Sequence, residues 1–528
     1  MMLSLAAGKK FETKTATEMD LFAKLTQGIK LQEPVKEVKK IKEADEPLAP
    51  PETTKLSTRK AFLKQHRIST TGYPANRNFL HSFADIPATE TTALAVASIQ
   101  HTLAETLEWE TPSAIQIAAI PCLMPPNPVD VIASAETGSG KTGAFVIPML
   151  IGLGPSHCVP GTPRALVVSP TRELANQTAK VIQTFIDGGV DLRMITLAEK
   201  KDERRLQKEG CDILIVTPNH LVHLMGDEGN NVTLTSLRYF ILDEADRLLD
   251  QQFFEVTERL LAAAHGRDKD PEKDLRDDLS LVLFSATLAV TNAVKDVLDR
   301  ISRASVVIKI GTNSEANRRI KQELVYAGLE TQKLAALRTV LRRVKLPALI
   351  FTQSKDRAVD LQVQVTGAGV KAAAFHGDLP QRMRDRAMRE MQTGKIWALI
   401  TTDVMARGID FDGIKSVINY DFPQSPAAYI HRIGRTGRSA DSEQEASAIT
   451  LITDEDRPYL QIVRNVMKSS GCHVPEWMYQ VKGARRDEVK RLQKVPLDRG
   501  DIDKRRKAMD KHYRGKGKGG GKKGGRKE

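Results

Sequence analysis

Short apolar, β-branched runs recur through the middle of the chain: VDVIASA, RALVVSP, LRMITLA, CDILIVTP, YFILDEAD, LSLVLFSAT and ASVVIKIG. Between most of them lie stretches with apolar residues at helical spacing, of which TRELANQTAKVIQTFI is the clearest. Apolar runs without polar alternation predict strands buried on both faces, and helices between them predict β-α-β units around a parallel sheet. After GTNSEANRRI a second series begins: KQELVYAG, PALIFTQS, VKAAAFHG, WALITTDV, SVINYDFP and ASAITLIT. The pattern predicts two tandem doubly wound α/β domains, residues 81–312 and 320–480, joined by a linker at 313–319. The charged stretch HGRDKDPEKDLRDD, residues 265–278, reads as a surface loop.

The flanks lack this rhythm. Residues 1–80, centred on LQEPVKEVKKIKEADEPLAPPETTK, predict a mostly disordered extension. Residues 481–528 hold 19 Lys or Arg and 7 Asp or Glu, a difference of +12 out of the formal +13 for the whole chain. The basicity is therefore a tail, and its end, RGKGKGGGKKGGRKE, has too little apolar surface to fold.

No apolar run approaches the ~18 residues of a membrane span, so no membrane partner is expected. The opening MMLSLAA has its positive charges after the apolar stretch, the reverse of a signal peptide. Cys122, Cys158, Cys211 and Cys472 are scattered, which argues against a zinc site or a disulfide framework. A cytosolic or nuclear protein is the expectation.

The chemistry begins at AETGSGKT, residues 135–142, between a predicted strand and a predicted helix. It matches a phosphate-binding loop except at Ala135, where the pattern has glycine. Successive backbone amides over Ala135, Glu136, Thr137, Gly138, Ser139 and Gly140 can wrap phosphate oxygens. Lys141 can reach the β and γ phosphates, and the Thr142 hydroxyl a magnesium ion. Alanine fits at 135 provided its φ is negative. About 100 residues later, ILDEAD places Asp243 and Glu244 at the carboxyl end of a strand, the edge where α/β sheets bind ligands. Asp243 can hold the metal, and Glu244 can take a proton from an attacking water.

Ten motifs follow one another in an order that resembles the DEAD-box RNA helicases. They are TPSAIQ (111–116), AETGSGKT, PTRELA (170–175), TP (217–218), DEAD (243–246), SAT (285–287), IFTQS (350–354), QRMR (381–384), TTDVMARGID (401–410) and HRIGRTGR (431–438). The resemblance covers roughly residues 83–480. It implies two RecA-like domains, ATP with Mg2+ as cofactors, and as partner an RNA, single-stranded or a short duplex, read with little sequence specificity. GKIWALITTDVMARGIDF, VINYDFPQSPAAYIHRIGRTGR and SSGCHVPEWM are most similar to the Rok-type subgroup, which acts in nucleolar maturation of small-subunit ribosomal RNA. A nuclear, nucleolar location follows as an expectation, as do pre-ribosomal proteins or an activating cofactor as partners.

The resemblance also implies roles. Gln116 reads adenine, its amide matching the N7 acceptor and N6 donor. Phe83 stacks on the base, although it lies 33 residues before Gln116, more than the family's usual interval. Ser285 and Thr287 couple the metal site to the rest of the first domain. Asp410, with Gly408 before it, contacts the ribose, and Arg435 and Arg438 reach the γ-phosphate from the second domain. Thr171, Arg172, Thr217, Arg384 and Thr401 grip phosphates and sugars of one strand.

Two departures stand out: TPNH (217–220) replaces the family's TPGR, and LAEK (197–200) stands where it has a glycine doublet. Both positions serve RNA contact in the family, so a weaker grip in the first domain is expected. An RNA-dependent clamp or RNA-binding scaffold with little unwinding stays open beside the helicase reading, and so does a DNA substrate.

Overall fold

The computed structural model describes residues 52–136, 138–226, 232–250, 253–268, 274–286, 305–311, 320–406, 411, 413–437, 446–495 and 497–499. The chain divides into units 1–58 and 59–528. Of the first, only 52–58 is described, as the opening of a helix Glu52–Gln65. Among the described residues no helix is long and apolar enough to cross a membrane.

Two sheets carry the fold. The first is built from β1 (Ile68–Thr71), β2 (Val131–Ser134), β3 (Ala165–Val168), β4 (Met194–Thr196), β5 (Ile213–Val216), β6 (Tyr239–Asp243), β7 (Ser280–Ser285) and β8 (Val306–Ile310). Their order across the sheet is β1-β8-β2-β7-β6-β3-β5-β4. The second comprises β9 (Ile320–Gly328), β10 (Ala348–Phe351), β11 (Ala372–Phe375), β12 (Ala398–Thr401), β13 (Ser416–Asn419) and β14 (Ala446–Thr453), in the order β11-β12-β10-β13-β14-β9. All pairings are parallel except that of β1 with β8.

The continuous apolar runs are explained by what each face meets. Along β3, Ala165 and Val167 enter one core while Leu166 and Val168 enter another, and β10 divides Leu349 and Phe351 from Ala348 and Ile350 in the same way. A strand with period-2 side chains and two buried faces has no solvent-facing position, so apolar residues dominate it. This is the expected pair of doubly wound domains.

The structure moves both outer boundaries. Residues 59–80 are not a loose extension: β1 pairs antiparallel with β8, and Ile68, Phe79 and Leu80 are buried in the first core. Arg59 lies over the rings of Tyr73 and Phe79, 5.3 and 5.0 Å from their centroids. The strand ISTT escapes a pattern search because only Ile68 faces the core; an edge strand is held by backbone hydrogen bonds. At about 1.5–3 kcal/mol for each large apolar side chain, these three burials contribute roughly 5–9 kcal/mol, an upper bound comparable with the ~5–15 kcal/mol stability of a whole domain. A chain starting at residue 81 is therefore expected to melt far below the parent or to be insoluble. An unchanged midpoint in thermal circular dichroism would refute the assignment.

The second boundary also shifts. The described residues between 481 and 499 pack on the second domain: a helix Arg486–Lys494 buries Leu492, and Val481, Val489 and Leu497 join the same core. Val489 and Leu492, one helical turn apart, were hidden among lysines and arginines. The predicted polycationic tail is left with residues 500–528, which lie outside the described residues, as do 1–51 and the linker 313–319.

Candidate nucleotide site and nucleic-acid edge

The loop after β2 and the carboxyl end of β6 open on the same sheet edge, separated by β7. Two strand spacings put them about 10 Å apart. Ala135 donates its N–H to Ser285 O at 3.1 Å, which ties the loop to the end of β7. Ala135 is not among the positive-φ residues, which is why a Cβ is tolerated where the pattern has glycine. Gly140 does need to be glycine: its φ is +91°, and a Cβ there would sit 2.7 Å from Ser113 Oγ and 2.9 Å from Gln116 Nε2.

Lys141 opens the helix Lys141–Leu153 and is buried, its Nζ donating to Ala135 O at 3.0 Å and Glu136 O at 3.3 Å. Ser139 Oγ is buried without a hydrogen-bond partner in the same loop. A loop with a buried ammonium, left-handed glycines and an unsatisfied hydroxyl is chemically matched to phosphate oxygens. Thr137 lies outside the described residues.

Asp243 and Glu244 are each 3% exposed. Burial, and then the charge of Glu244, push the Asp243 carboxyl up to about 7 against the opposing pull of Lys141 and a bond from Thr178. Glu244 has φ 55° and ψ 53°, a left-handed backbone rare for a residue with a side chain, at the sharp turn from β6 into the helix Ala245–Leu248. Asp243 on this strand end and the half-buried Thr142 next to Lys141 offer oxygens, the donor chemistry that suits a hard divalent cation such as magnesium.

Gln116 is buried at the start of the helix Ala114–Leu123 and links this helix to the phosphate loop. Its Oε1 accepts from Ser113 N–H at 2.8 Å and its Nε2 donates to Gly140 O at 3.2 Å. A second lone pair and a second N–H remain for a ligand edge. Trp109, which sequence reasoning did not single out, lies beside it: a Cβ at Gly143 would be 2.6 Å from the Trp109 ring and 2.7 Å from Gln116 Nε2. Phe83 is buried, and with Trp109, Gln100 and Leu103 it lines a cavity of about 360 Å³. Gln116→Ala is expected to blur the preference for ATP over GTP. Competition binding with an unchanged preference would remove Gln116 from base reading.

The two domains meet at side chains from the motifs. Asp246 of DEAD lies 3.4 Å from Nε2 of His431, the first residue of HRIGRTGR, and Glu244 offers a carboxylate oxygen within 4.8 Å of both. Four residues on from His431, Arg435 is buried, its Nε donating to His431 O at 3.0 Å. Arg384 pairs with Glu173 of PTRELA. Asp246, His431 and Glu173 lay within quoted motifs, but no spacing rule marked them as partners. Ser285 is fully buried at the end of β7. Thr287, Gly408, Asp410 and Arg438 lie outside the described residues.

The expected nucleic-acid residues divide. Arg172 is exposed and Thr217 half-buried, both at strand ends of the first sheet. Thr171 caps the helix Arg172–Asp187, its hydroxyl accepting from Leu174 N–H. Arg384 faces Glu173 instead of an open groove, because a guanidinium only 11% exposed requires a carboxylate. Thr401 has no exposed surface, and its hydroxyl lies 3.4 Å from Thr402 O, so here it supports the edge from within.

The two sequence departures have a local cause. At LAEK, the backbone N–H groups of Ala198 and Glu199 donate to Asp202 Oδ2 at 3.2 and 2.9 Å. At TPNH, His220 Nε2 lies 2.8 Å from Glu203 Oε1. These two backbone N–H groups and the imidazole are thus engaged by carboxylates of one helix, Lys200–Glu209. Gly188 and Gly189 end the preceding helix and do not replace the doublet.

A loop of phosphate-binding pattern, an acidic strand end and a basic motif of the second α/β domain thus come together in one two-domain unit. Comparison with known families agrees: residues 113–296 match the DEAD/DEAH box helicase model, and 332–440 the helicase conserved C-terminal domain. The chain is 38% identical over 418 residues to DEAD-box ATP-dependent RNA helicase 57 of Arabidopsis thaliana, covering 77% of this chain and 72% of that protein. It is 37% identical to the mouse probable ATP-dependent RNA helicase DDX52, covering 75% of this chain and 64% of the mouse protein. It is 36% identical to ATP-dependent RNA helicase ROK1 of Eremothecium gossypii, covering 72% of this chain and 66% of that one. Among solved structures, S. cerevisiae Dbp5 bound to RNA and ADP BeF3 superposes with a TM-score of 0.60 at 29% identity, over 78% of this chain and all of that one. The chain belongs to the DEAD-box ATP-dependent RNA helicases, and its relatives include the Rok-type members.

Proposed function

We propose that this chain is an RNA-dependent ATPase that remodels or locally unwinds RNA during ribosomal RNA processing in the nucleolus. The observation that carries the catalytic part is the meeting of Asp246 and Glu244 with His431, which joins the acidic strand end of one domain to the basic motif of the other. The ribosomal part rests on the Rok-type sequence stretches and on relatives of that name.

In this reading Lys141 exchanges its loop carbonyls for phosphate oxygens, and Thr142 and Asp243 hold Mg2+, which would neutralise charge on the phosphates. Glu244 accepts the proton of the attacking water. Arg435 and Arg438 face the γ-phosphate when the domains close, and Asp410 the ribose. Arg172 and Thr217 touch the RNA backbone directly, while Thr171, Thr401 and Arg384 shape the edge and its closure. With Ala198, Glu199 and His220 engaged by carboxylates, the first domain grips RNA weakly.

Hydrolysis measured with and without RNA, for the parent and Lys141→Ala, tests the proposal. RNA-stimulated turnover that Lys141→Ala abolishes is expected. No turnover would favour the scaffold reading, and RNA-independent turnover would refute the RNA dependence. Crosslinking in cells followed by sequencing of bound RNA tests the ribosomal assignment, which fails if pre-ribosomal RNA is not enriched.

A further inference from the structure

Four strands of the second sheet start in register: Ala372 of β11 lies beside Ala398 of β12, Ala398 beside Ala348 of β10, and Ala348 beside Ser416 of β13. The residues just before them, Lys371, Trp397, Pro347 and Lys415, therefore form a row along the amino edge. Three strand spacings make the row about 14 Å long. The hydrogen-bond ladder runs on into it and holds it in place. Trp397 donates its N–H to Lys371 O at 2.8 Å, Ala348 to Trp397 O at 2.9 Å, and Lys415 to Pro347 O at 3.0 Å. Ser416 Oγ donates to Lys345 O at 2.8 Å, which fixes the approach to β10.

Two large apolar side chains face outward on this firm backbone: Trp397 is 37% exposed and Leu346 38%. Lys371 Nζ lies over the Trp397 ring, 5.1 Å from its centroid. The charge around them has one sign. Lys345, Lys371 and Lys395 are exposed and Lys415 half-buried, and among the described residues none of the four is paired with a carboxylate. Glu390, on the helix Gln381–Gln392 that leads into the row, is taken by Arg386 at 2.7 Å. A solvated lysine face has no use for an exposed tryptophan, whereas an aromatic anchor inside a polar rim is the anatomy of a protein interface.

The row lies away from the nucleotide motifs. IFTQS and TTDVMARGID leave the carboxyl ends of β10 and β12, about 13 Å away along strands of this length. A partner held at the amino edge would leave the nucleotide edge uncovered.

The sign of the charge selects the occupant. A second copy of this chain meeting the same patch would set lysines against lysines, which like-charge repulsion disfavours. A nucleic acid would match the lysines, but it gains nothing from Leu346 and finds an ammonium over one face of the Trp397 ring. An acidic peptide with a bulky apolar side chain matches both. We propose that the amino edge of the second sheet, centred on Trp397 and Leu346 and flanked by Lys345, Lys371, Lys395 and Lys415, docks an acidic segment of a partner protein through one large apolar anchor.

The test pans a display library of random dodecapeptides over the full chain, then measures the selected peptides by fluorescence anisotropy at low and high salt. The parent is compared with Trp397→Ala and with the double variant Lys371→Glu, Lys395→Glu. Selection on the parent is expected to enrich Asp and Glu around one Trp, Phe or Leu. Trp397→Ala is expected to weaken these peptides about tenfold or more, the loss typical of an interface anchor. The double reversal is expected to weaken them about tenfold at low salt and less at high salt, where exposed charges are screened. Panned in its own right, the reversed variant is expected to select basic peptides, a switch that a merely destabilised fold would not produce; at two exposed positions it also keeps the test decisive should Trp397→Ala fail to fold. Selection without acidic enrichment, or peptides that bind all three proteins alike, overturns the proposal. So does a charge reversal that costs more affinity for single-stranded RNA than for the peptides, which would assign the row to nucleic acid.

Discussion

Glu244→Gln is expected to bind ATP as the parent does and to hydrolyse it about 10²- to 10⁴-fold more slowly, the range a positioned general base contributes. Glutamine keeps the shape of a residue that is 3% exposed and held at φ 55°, so the left-handed turn survives while the proton acceptor is lost. Single-turnover hydrolysis beside equilibrium nucleotide binding separates the two effects, and hydrolysis at the parent rate would remove Glu244 as the base. The substitution carries a pH signature as well. With Asp243 at about 7, raised by burial and then by Glu244, its carboxyl is increasingly protonated as pH falls through neutrality and has less charge to offer a cation. Magnesium-dependent nucleotide affinity should therefore fall from pH 8 to pH 6. Removing the Glu244 charge should move that fall to lower pH.

Arg435→Ala is expected to lower turnover by roughly 10³ to 10⁵, the range for arginines that stabilise a transferring phosphoryl group, with a far smaller loss of ATP binding. The side chain is 1% exposed and braced on His431 O, on the turn that also presents His431 to Asp246. In the proposed reading its electrostatic contribution would come when charge develops during the reaction. Equal losses in nucleotide affinity and turnover would count against closure of the second domain over the site. A normal melting temperature is the control that the buried guanidinium was not needed for folding.

The parallel strands were legible because burial on both faces leaves an unbroken apolar run, and AETGSGKT and DEAD because phosphate and metal chemistry restrict residue type at fixed spacing. Elements held by other means were not. ISTT pairs through its backbone and shows one buried side chain, and the helix Arg486–Lys494 hides its apolar turn among basic residues. Contacts between motifs were also beyond reach: Glu173 and Arg384 are 211 residues apart, and nothing in either neighbourhood names the other. TPNH and LAEK were visible as departures, but the side chain that fills the amides, Asp202, became visible only with the helix that carries it.

The pairing of β1 with β8 sets a timetable for synthesis. Ile68 is in register with Ile310, so the first sheet cannot gain its antiparallel edge until residue 310 has left the ribosome. At ~5–20 residues per second, the 242 residues from 69 to 310 take about 12–48 s. For that interval Ile68, Phe79 and Leu80 have no completed core to enter, so the nascent chain presents a hydrophobic segment to chaperones. Slowing translation over 81–310 should lengthen that exposure more than slowing it over the second domain.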